Sequence, residues 1–462
     1  MKMALHKNLA NGNVKRNIIH FAIPLIISNL FQALYNTVDM FFVGRYIGTS
    51  ALASVSVSGP ITNIIILTTS ALSVGVSVVI GKYQGRDEND KVKKCANTAI
   101  AIYIILAIIL TLFGLCFAEG LLKFVNTPES SMEQGVIYLR TIFSGSIFMC
   151  GYNLIGAFQR GVGDSKTPMK LIIIAGICNI ILNYIFVGLL GVGVIGAALA
   201  TVISQGVSLI LGIIYFRINR HIITFRIREI KIYPGYCKEL VKIGLPNAFQ
   251  ALISNIAFIT FTGLANSFGI AASAAFGIGM KIDTFAWMPS EAIGSSVAAF
   301  TSQNIGAGKP KRAIEGLKEA SKIAIYLSII TLVLVYIFAP RIIKIFNNDI
   351  EVVAYGTQYL RTSCFGYLIS TLIHPCVGFI RGTGNSVKTI VNVLISQYLL
   401  RIPVAYYLAN HIGFSALPYA SIASTAFSAL FYIIFIKSKK WKKSVGYKNM
   451  ISISTKKRTC TN

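Results

Sequence analysis

Long apolar runs, separated by short polar or Gly/Pro-containing connections, dominate this chain of 462 residues. Most runs are about twenty residues long, the length that an α-helix needs to cross a hydrocarbon layer of about 30 Å. The pattern predicts twelve such helices, near residues 18–43, 51–81, 95–117, 136–159, 168–190, 193–216, 240–265, 272–300, 320–339, 356–380, 388–410 and 415–436. We therefore predict an all-α membrane protein with twelve transmembrane helices.

An internal repeat divides these helices into two sets of six. Tyr138–Thr141 recurs as Tyr359–Thr362, and Phe158–Ser165 recurs as Phe379–Ser386, both at a shift of 221 residues. A register held over such a distance indicates a duplication. Six helices per half bring both halves into the membrane from the same side, as parallel repeats.

The repeat predicts two pseudo-symmetric six-helix lobes. We place the N-terminal lobe at 1–216, a cytoplasmic linker at 217–239, the C-terminal lobe at 240–437 and a basic cytoplasmic tail at 438–462. Two lobes with a cleft between them favour a transporter over a channel, which would more naturally use several identical subunits around a pore.

The charge pattern sets the expected orientation. Only 13% of the residues are charged, and the net charge is +27. The basic residues lie mostly in alternate connections and in the tail, so the positive-inside rule predicts a multi-pass protein of the plasma (inner) membrane with both termini cytoplasmic. Because these residues sit in short connections between apolar runs, we interpret them as topology signals and expect no nucleic-acid partner. The eight cysteines form no Cys-x-x-Cys pair and have no histidine at zinc spacing, so most are interpreted as small hydrophobes.

Asp39 is the principal candidate for function. It lies deep in the first predicted helix, with Gln32, Tyr35 and Asn36 at helical spacing, and we predict that these three residues line a substrate cavity or relay protons. An aspartate at the centre of a span costs about 3 kcal/mol on insertion scales, so its presence there favours a functional role. Such a carboxyl can be neutral with a proton or charged beside a bound cation, which is what ion coupling requires. A packing aspartate that hydrogen-bonds to its neighbours is the alternative.

Further oxygen ligands come from the fifth and sixth helices. Asn179 and Asn183 are one turn apart and share a face, and Thr201 and Ser204 lie in the next helix. With Asp39 they supply oxygens suited to a proton relay or to Na⁺. Hydrogen bonds from these two asparagines to neighbouring helices, which would hold the helices together, are an equally acceptable interpretation.

The C-terminal half carries its own intramembrane charges: Lys281, Asp283 and Glu291 in the eighth helix and Arg401 in the eleventh. Two positive and two negative groups sum to zero, so we expect an ion-pair network that joins these helices. The alternative is that Asp283 or Glu291 contacts a cationic substrate or relays a proton.

Several motifs together resemble the multidrug and toxic compound extrusion (MATE) family, over residues 15–437. They are the prolines Pro24 and Pro246 early in the first helix of each half, the segments Val38–Gly44 and Gln303–Gly308, and the paired Arg-Gly-x-Gly loops of the repeat. The helix-1 aspartate, without an acid in the seventh helix, is most similar to the DinF branch.

The resemblance implies two six-helix lobes that open alternately, and export of organic, often cationic, compounds in exchange for H⁺ or Na⁺. It also implies a cation site in the N-terminal lobe, formed by Asp39, Asn179 and Thr201, which would hold Na⁺ if Na⁺ binds. The family pattern has a second carboxylate where this chain has Asn183, which favours H⁺. Bending at Pro24 when the charge of Asp39 changes would provide a gate.

The predicted function is therefore a secondary active antiporter without a cofactor and not an enzyme, since no Walker-type loop is present to use ATP. We expect organic cations and the lipid bilayer as partners, and a monomer. A lipid-linked oligosaccharide flippase of the same superfamily is the alternative within transport. It should carry several cationic residues in its cleft for pyrophosphate, and the predicted N-terminal spans have almost none. An intramembrane enzyme is the alternative from another class, and only Asp283 with Glu291 could begin such a site.

Overall fold

The computed structural model describes residues 8–125, 127–219 and 222–444. Its helices in the first half are α1 (Val14–Tyr46), α2 (Thr49–Gly85), α3 (Asn89–Phe124), α4 (Glu129–Ser144), α5 (Ser146–Gly161), α6 (Lys166–Asn183) and α7 (Val194–Ile218). In the second half they are α8 (Pro234–Asn266), α9 (Ile270–Gly306), α10 (Pro310–Phe346), α11 (Ile350–Gly382), α12 (Val387–Val393), α13 (Ile402–Ile412), α14 (Ala416–Lys437) and the short α15 (Trp441–Ser444).

Two helices continue into π-helical segments. Tyr184–Leu189 extends α6, and Leu394–Arg401 joins α12 to α13. Short 3₁₀ segments occur at Ile227–Glu229 and Gly413–Ser415. The described residues contain no β-strand.

The twelve predicted apolar runs each coincide with a helix or with consecutive helices, with ends that differ by up to about ten residues. The fourth run is two helices, α4 and α5, bent by 49° at Gly145. Within the described chain, nine stretches are long and apolar enough to cross a membrane, and this bent pair makes a tenth. The total is ten and not twelve for two reasons. Val387–Lys437, which contains two of the predicted helices, is counted once, and α9 is left out because its polar residues include Lys281, Asp283 and Glu291.

The outer surfaces of the helices are apolar. Only 22% of the most apolar part of α10 and 28% of that of α3 is buried within the protein. Side chains such as Ile109, Leu112 and Ile337 are 57–60% exposed. Apolar surface on this scale is typical of a protein that faces lipid.

The chain forms two compact units. The first contains Pro24–Ala248, and the second contains Leu9–Ile23 together with the chain from Phe249 onwards. Two helices are therefore divided between the units: α1 passes from the second unit to the first at Pro24, and α8 passes from the first to the second after Ala248. We call them the N-unit and the C-unit. The lobe boundaries given by the sequence pattern stay a prediction.

The core of the N-unit lies between α2, α3, α5 and α7. It contains Val79, Ile80, Cys95, Ile155 and Phe158, all at most 1% exposed. Leu240 and Ile243 from the first turns of α8 join this core. Apolar burial of this kind holds the start of α8 on the N-unit.

The linker before α8 is fixed to the N-unit by polar contacts. Glu239 pairs with Lys82 and accepts a hydrogen bond of 2.5 Å from the hydroxyl of Tyr83. The hydroxyl of Thr224 and the ammonium of Lys93 hold the pKa of Glu229 below its usual value. The segment between the two halves is therefore folded against the N-unit along these contacts.

The C-unit holds the residues that precede α1 in a corresponding way. Leu9 is 1% exposed, its amide donates to Gln303 Oε1 at 3.0 Å, and Asn304 Nδ2 donates to its carbonyl at 3.3 Å. Lys309 Nζ donates to Ala10 O at 2.9 Å, and Arg312 donates to backbone carbonyls of the same segment. The Gln303–Gly308 motif thus anchors the start of the chain.

Backbone contact between α9 and α11 organises the C-unit. A Cβ atom added to Gly378 would lie 2.0 Å from the carbonyl oxygen of Gly294. One added to Gly294 would lie 2.6 Å from the carbonyl oxygen of His374, and one added to Gly382 would lie 2.8 Å from that of Ala298. Small residues at four-residue spacing let two helices approach this closely, which is the usual packing of membrane helices.

Candidate ion site and recess of the N-unit

Asp39 lies on α1 and receives hydrogen bonds from two other helices. Asn183 Nδ2, at the end of α6, donates to Asp39 Oδ1 at 2.6 Å. Thr201 Oγ1, on α7, donates to Asp39 Oδ2 at 3.2 Å, although the carbonyl of Ala197 competes for the same hydroxyl proton at 3.2 Å. The structure therefore brings three of the predicted residues together around one carboxylate.

Asn179 completes the group from one turn earlier on α6. Asn179 and Asn183 are both fully buried. Neither polar atom of the Asn179 amide has a hydrogen-bond partner, and Asn183 Oδ1 also has none. A buried polar atom without a partner costs about 1–3 kcal/mol, so these amide atoms are suited to contact a water molecule or an ion.

The oxygen ligands of this site suit a proton or a hard cation such as Na⁺. Asp39, Asn179, Asn183 and Thr201 can all present oxygen atoms, and Na⁺ prefers such ligands. Within the described residues, no three His, Cys, Asp or Glu side chains come together as metal ligands would. With a single carboxylate, the group carries one negative charge, which one H⁺ or one Na⁺ would neutralise.

Local structure places these side chains. The π-helical segment Tyr184–Leu189 begins directly after Asn183, and such segments interrupt helices most often at functional sites. Asp39 is only half-buried, whereas the asparagines behind it are fully buried.

A small recess, open on one side, lies within the N-unit. Its lining residues are Gln32, Tyr35, Tyr152, Ile172, Ala175 and Gln205. Tyr35 lies one turn before Asp39 on α1, and its hydroxyl is 3.4 Å from Ser204 Oγ. Gln32 and Tyr35, both predicted to line a cavity, thus occur together. The side chain of Asn36 lies outside the described part of the structure.

The sequence analysis missed Tyr152 and Gln205 in this recess. Gln205 follows Thr201 by four residues on α7, so helical spacing could have identified it. Tyr138 was also missed as a neighbour of Asp39, although it belongs to the repeated Tyr-Leu-Arg-Thr motif.

Pro24 lies inside α1 and is buried. It is the residue at which α1 passes into the N-unit, and Pro246 occupies the corresponding region of α8. A proline removes one backbone hydrogen bond and permits a bend there. Its role as a gate stays a prediction.

The C-unit also contains an aspartate within its helices, and this one is fully buried. Asp283, on α9, is 2% exposed and accepts hydrogen bonds from the hydroxyls of Tyr359 (2.9 Å), Tyr367 (2.5 Å) and Ser363 (3.5 Å), all on α11. Tyr359 is the repeat counterpart of Tyr138, so the repeated tyrosine lies near an aspartate in both units.

The predicted ion-pair network of the C-terminal half is wrong. Among the described residues, no ion pair within 4.0 Å joins Lys281, Asp283, Glu291 or Arg401. Hydroxyl groups satisfy Asp283 instead. Arg401 lies over the ring of Phe261 at 4.0 Å and donates to Gln397. Lys281 and Glu291 have exposed side chains, and a role for Glu291 in substrate contact or proton relay stays a prediction.

Tyr367→Phe is expected to destabilise the C-unit by about 1.5–3 kcal/mol, because it removes a hydrogen bond to a buried charged group. Thermal unfolding of the purified protein in detergent would show a lower midpoint. Tyr326→Phe, at a side chain that is 69% exposed, is the matched control and should leave the midpoint unchanged. Equal midpoints for both variants would contradict the assigned contact.

Comparison with known proteins agrees with this architecture. The MatE family model matches residues 24–185 and again 246–407, so the two halves correspond to two copies of one module. The chain is 26% identical over 435 residues to the probable multidrug resistance protein YpnP of Bacillus subtilis, covering 94% of this chain and 97% of that protein. It is 25% identical over 358 residues to a FAD transporter of Shewanella oneidensis, covering 76% and 78% of the two chains.

A solved structure shows the same fold. The outward-facing structure of a multidrug resistance MATE family transporter of the MOP superfamily superposes with a TM-score of 0.89, at 21% identity, covering 97% of this chain and 100% of that one. The predicted fold class, twelve helices in two six-helix lobes, is thereby confirmed, while the assignment to the DinF branch stays a prediction. This chain belongs to the MATE family and is a multi-pass membrane transporter, not an enzyme.

Proposed function

We propose that this transporter is a secondary active antiporter that exports small organic compounds in exchange for H⁺ or Na⁺, with Asp39 as the coupling residue. The observation that carries the proposal is the group of Asp39, Asn179, Asn183 and Thr201, in which Asn183 and Thr201 donate hydrogen bonds to a half-buried carboxylate beside the buried amide oxygens of the two asparagines. Relatives that are named multidrug resistance proteins support export of drug-like compounds.

The coupling step follows from charge. When Asp39 is ionised, its negative charge lies one helical turn from Tyr35, which lines the recess, and attracts the cationic part of a substrate. When Asp39 binds H⁺ or Na⁺, that attraction is lost and the substrate is released. Uptake of the ion outside and its release inside would make the exchange directional. No cofactor takes part in this cycle.

H⁺ is the favoured coupling ion, because Asn183 stands where a second carboxylate would strengthen Na⁺ binding. The single charge of Asp39 is neutralised fully by one proton. We place the protein in the plasma (inner) membrane as a monomer, with both termini in the cytoplasm, from the distribution of its basic residues. The N-terminal lobe, the linker, the C-terminal lobe and the basic tail keep the boundaries predicted from the sequence.

Liposomes that contain the purified transporter and a fluorescent lipophilic cation test this function. Imposing a proton gradient and a sodium gradient separately identifies the ion. We expect substrate movement with the proton gradient alone, and abolition by a protonophore. Movement with neither gradient would overturn the proposed antiport, and movement with the sodium gradient alone would reassign the ion.

The flippase alternative has a separate test. A lipid-linked oligosaccharide would need several cations for its pyrophosphate, and the recess is lined by neutral side chains. Deletion of the gene should therefore reduce dye efflux and leave the cell wall intact. A cell-wall defect with normal dye efflux would favour the flippase.

A further inference from the structure

The recess of the N-unit and the group around Asp39 form two adjacent layers of the same three helices, α1, α6 and α7. Three residues that line the recess each lie four positions from a member of that group: Tyr35 before Asp39, Ala175 before Asn179, and Gln205 after Thr201. Four residues correspond to a rise of about 6 Å along a helix. The first and fifth spans run in the same direction and the sixth runs in the opposite one, so all three displacements point towards the start of α1. The recess therefore lies one helical turn from the Asp39 group, on the side where α1 begins.

The size and the lining of the recess suit water. It has room for little more than a water molecule, which is too small a space for an organic substrate. A bound water needs about two to four polar partners, and four of the six lining residues have hydrogen-bonding side chains: Gln32, Tyr35, Tyr152 and Gln205. Within the described chain, the side chains of Gln32, Tyr152 and Gln205 form no hydrogen bond that would compete with such a water. Because the recess is open on one side, a water there can exchange with others.

The hydroxyl of Tyr35 lies between the two layers. It is 3.4 Å from Ser204 Oγ, and Ser204 stands between Thr201 and Gln205 along α7. Ser204 donates its own proton to the carbonyl of Thr201 at 2.9 Å, so Tyr35 is the donor in its contact with Ser204. A hydroxyl both donates and accepts, so it can take one proton as it gives up another. A proton can therefore pass between the layers without movement of the Tyr35 side chain, whereas Na⁺ would have to displace it.

We propose that the recess holds water that exchanges the coupling proton with Asp39, with the hydroxyl of Tyr35 between them. This inference rests on the proposed function, and it assigns the exchange to the side where α1 begins, which the charge pattern predicts to be cytoplasmic. As one proton leaves Asp39, the water accepts one, and Tyr35 ends with as many protons as it had before. Within the described chain, the titratable neighbours of Asp39 are Tyr35 and Tyr138, so no second acid or base of ordinary strength competes for the proton.

Hydroxyl-radical footprinting of the full chain in detergent detects the water without requiring transport. Radiolysis of a bound water oxidises the side chains that contact it, even where bulk solvent does not reach them. Tyr35 is only 8% exposed, and we expect it to be oxidised together with Tyr152. Tyr103, which is 3% exposed and whose hydroxyl is bonded to Ser73 and to the carbonyl of Thr69, is the matched control and should stay unmodified.

Gln205→Met removes the amide and keeps the length of the side chain. It should reduce the oxidation of Tyr35 about fivefold or more, since the loss of an ordinary hydrogen bond changes an equilibrium by about that factor. Dye movement driven by a proton gradient should slow by a similar factor, while the pH dependence of dye binding at equilibrium stays unchanged because Asp39 is intact. Gln358→Met, at an exposed glutamine of the C-unit, should change none of these measurements. If Gln205→Met is not monodisperse in size-exclusion chromatography, Gln32→Met tests the same recess.

Each result that contradicts the proposal is distinct. An unmodified Tyr35 in the wild type would overturn the water site. Normal proton-driven dye movement in Gln205→Met, despite reduced oxidation of Tyr35, would overturn the role of this water in proton exchange. A shifted pH dependence of dye binding in that variant would mean that Gln205 acts on the Asp39 group itself, which contradicts the two separate layers. Oxidation of Tyr35 in a wild type that moves dye with neither gradient would contradict only the antiport mechanism and leave the water site in place.

Discussion

Asp39→Asn is expected to abolish gradient-driven transport and to leave the protein folded. Asparagine has nearly the same shape as aspartate. Its oxygen can still accept from Asn183, and its amide can donate to Thr201, whose hydroxyl already has the carbonyl of Ala197 as an acceptor. The variant therefore keeps its hydrogen bonds and loses only the charge, which resembles a permanently protonated site.

The proposed coupling also predicts the direction in which substrate affinity changes with pH. In the wild type, lowering the pH should weaken binding of a cationic dye, because protonation removes the attraction from Asp39. A coupling free energy of about 1–3 kcal/mol corresponds to a change of about 5–150-fold in affinity. The variant should bind at the weak, low-pH value throughout the pH range.

Dye uptake into proteoliposomes and dye binding between pH 5 and pH 9 measure the two effects. Thr37→Ala changes an exposed side chain on the same helix and serves as the control, with normal transport and a normal pH dependence. If Asp39→Asn transports at the full rate with an unchanged pH dependence, Asp39 is a packing residue and coupling lies elsewhere.

The helices were predictable because a membrane imposes a simple rule on the sequence. Each span must be apolar for about twenty residues, so polar connections mark its ends. The parts of helices that extend beyond the hydrocarbon layer obey no such rule. For this reason α8 begins at Pro234 and not at residue 240, and α10 extends from Pro310 to Phe346 and not from 320 to 339. The bend at Gly145 left no trace in the apolar pattern.

The sequence identified the residues of the N-unit site but not the hydrogen bonds between them. Polar residues are costly within a span, so Asp39, Asn179, Asn183 and Thr201 were conspicuous by residue type alone. The ion-pair network predicted for the C-terminal half from the balance of charges was wrong. Counting charges takes no account of hydroxyl donors, which contact Asp283, or of aromatic rings, one of which lies beneath Arg401.

Arg160 shows a further limit of the sequence. Its position at the end of a span suggested a connection, whereas α5 continues through Arg160 and the side chain folds back towards Gly156. Close backbone packing is hidden in the same way, since nothing in the sequence reveals which of the 39 glycines touch another helix.

Gly378→Ala should destabilise the C-unit by about 3 kcal/mol or more, at the upper end of the range for overpacking. The new Cβ atom would lie 2.0 Å from a backbone oxygen of Gly294, and a backbone atom cannot turn aside as a flexible side chain can. Helices α9 and α11 would have to separate along their whole contact, including the approach of Gly294 to His374. The hydrogen bonds from Tyr359 and Tyr367 to Asp283 span the same pair of helices and would lengthen with it.

Gly277→Ala is the matched control on α9, because a Cβ atom there meets nothing within 4 Å. Replacing an exposed helical glycine by alanine should stabilise the protein by about 0.5–1 kcal/mol, so the two variants are expected to differ in sign. Size-exclusion chromatography after heating in detergent measures both effects. An unchanged melting temperature for Gly378→Ala would mean that α9 and α11 do not meet backbone to backbone, and that the C-unit is held together by its side chains alone.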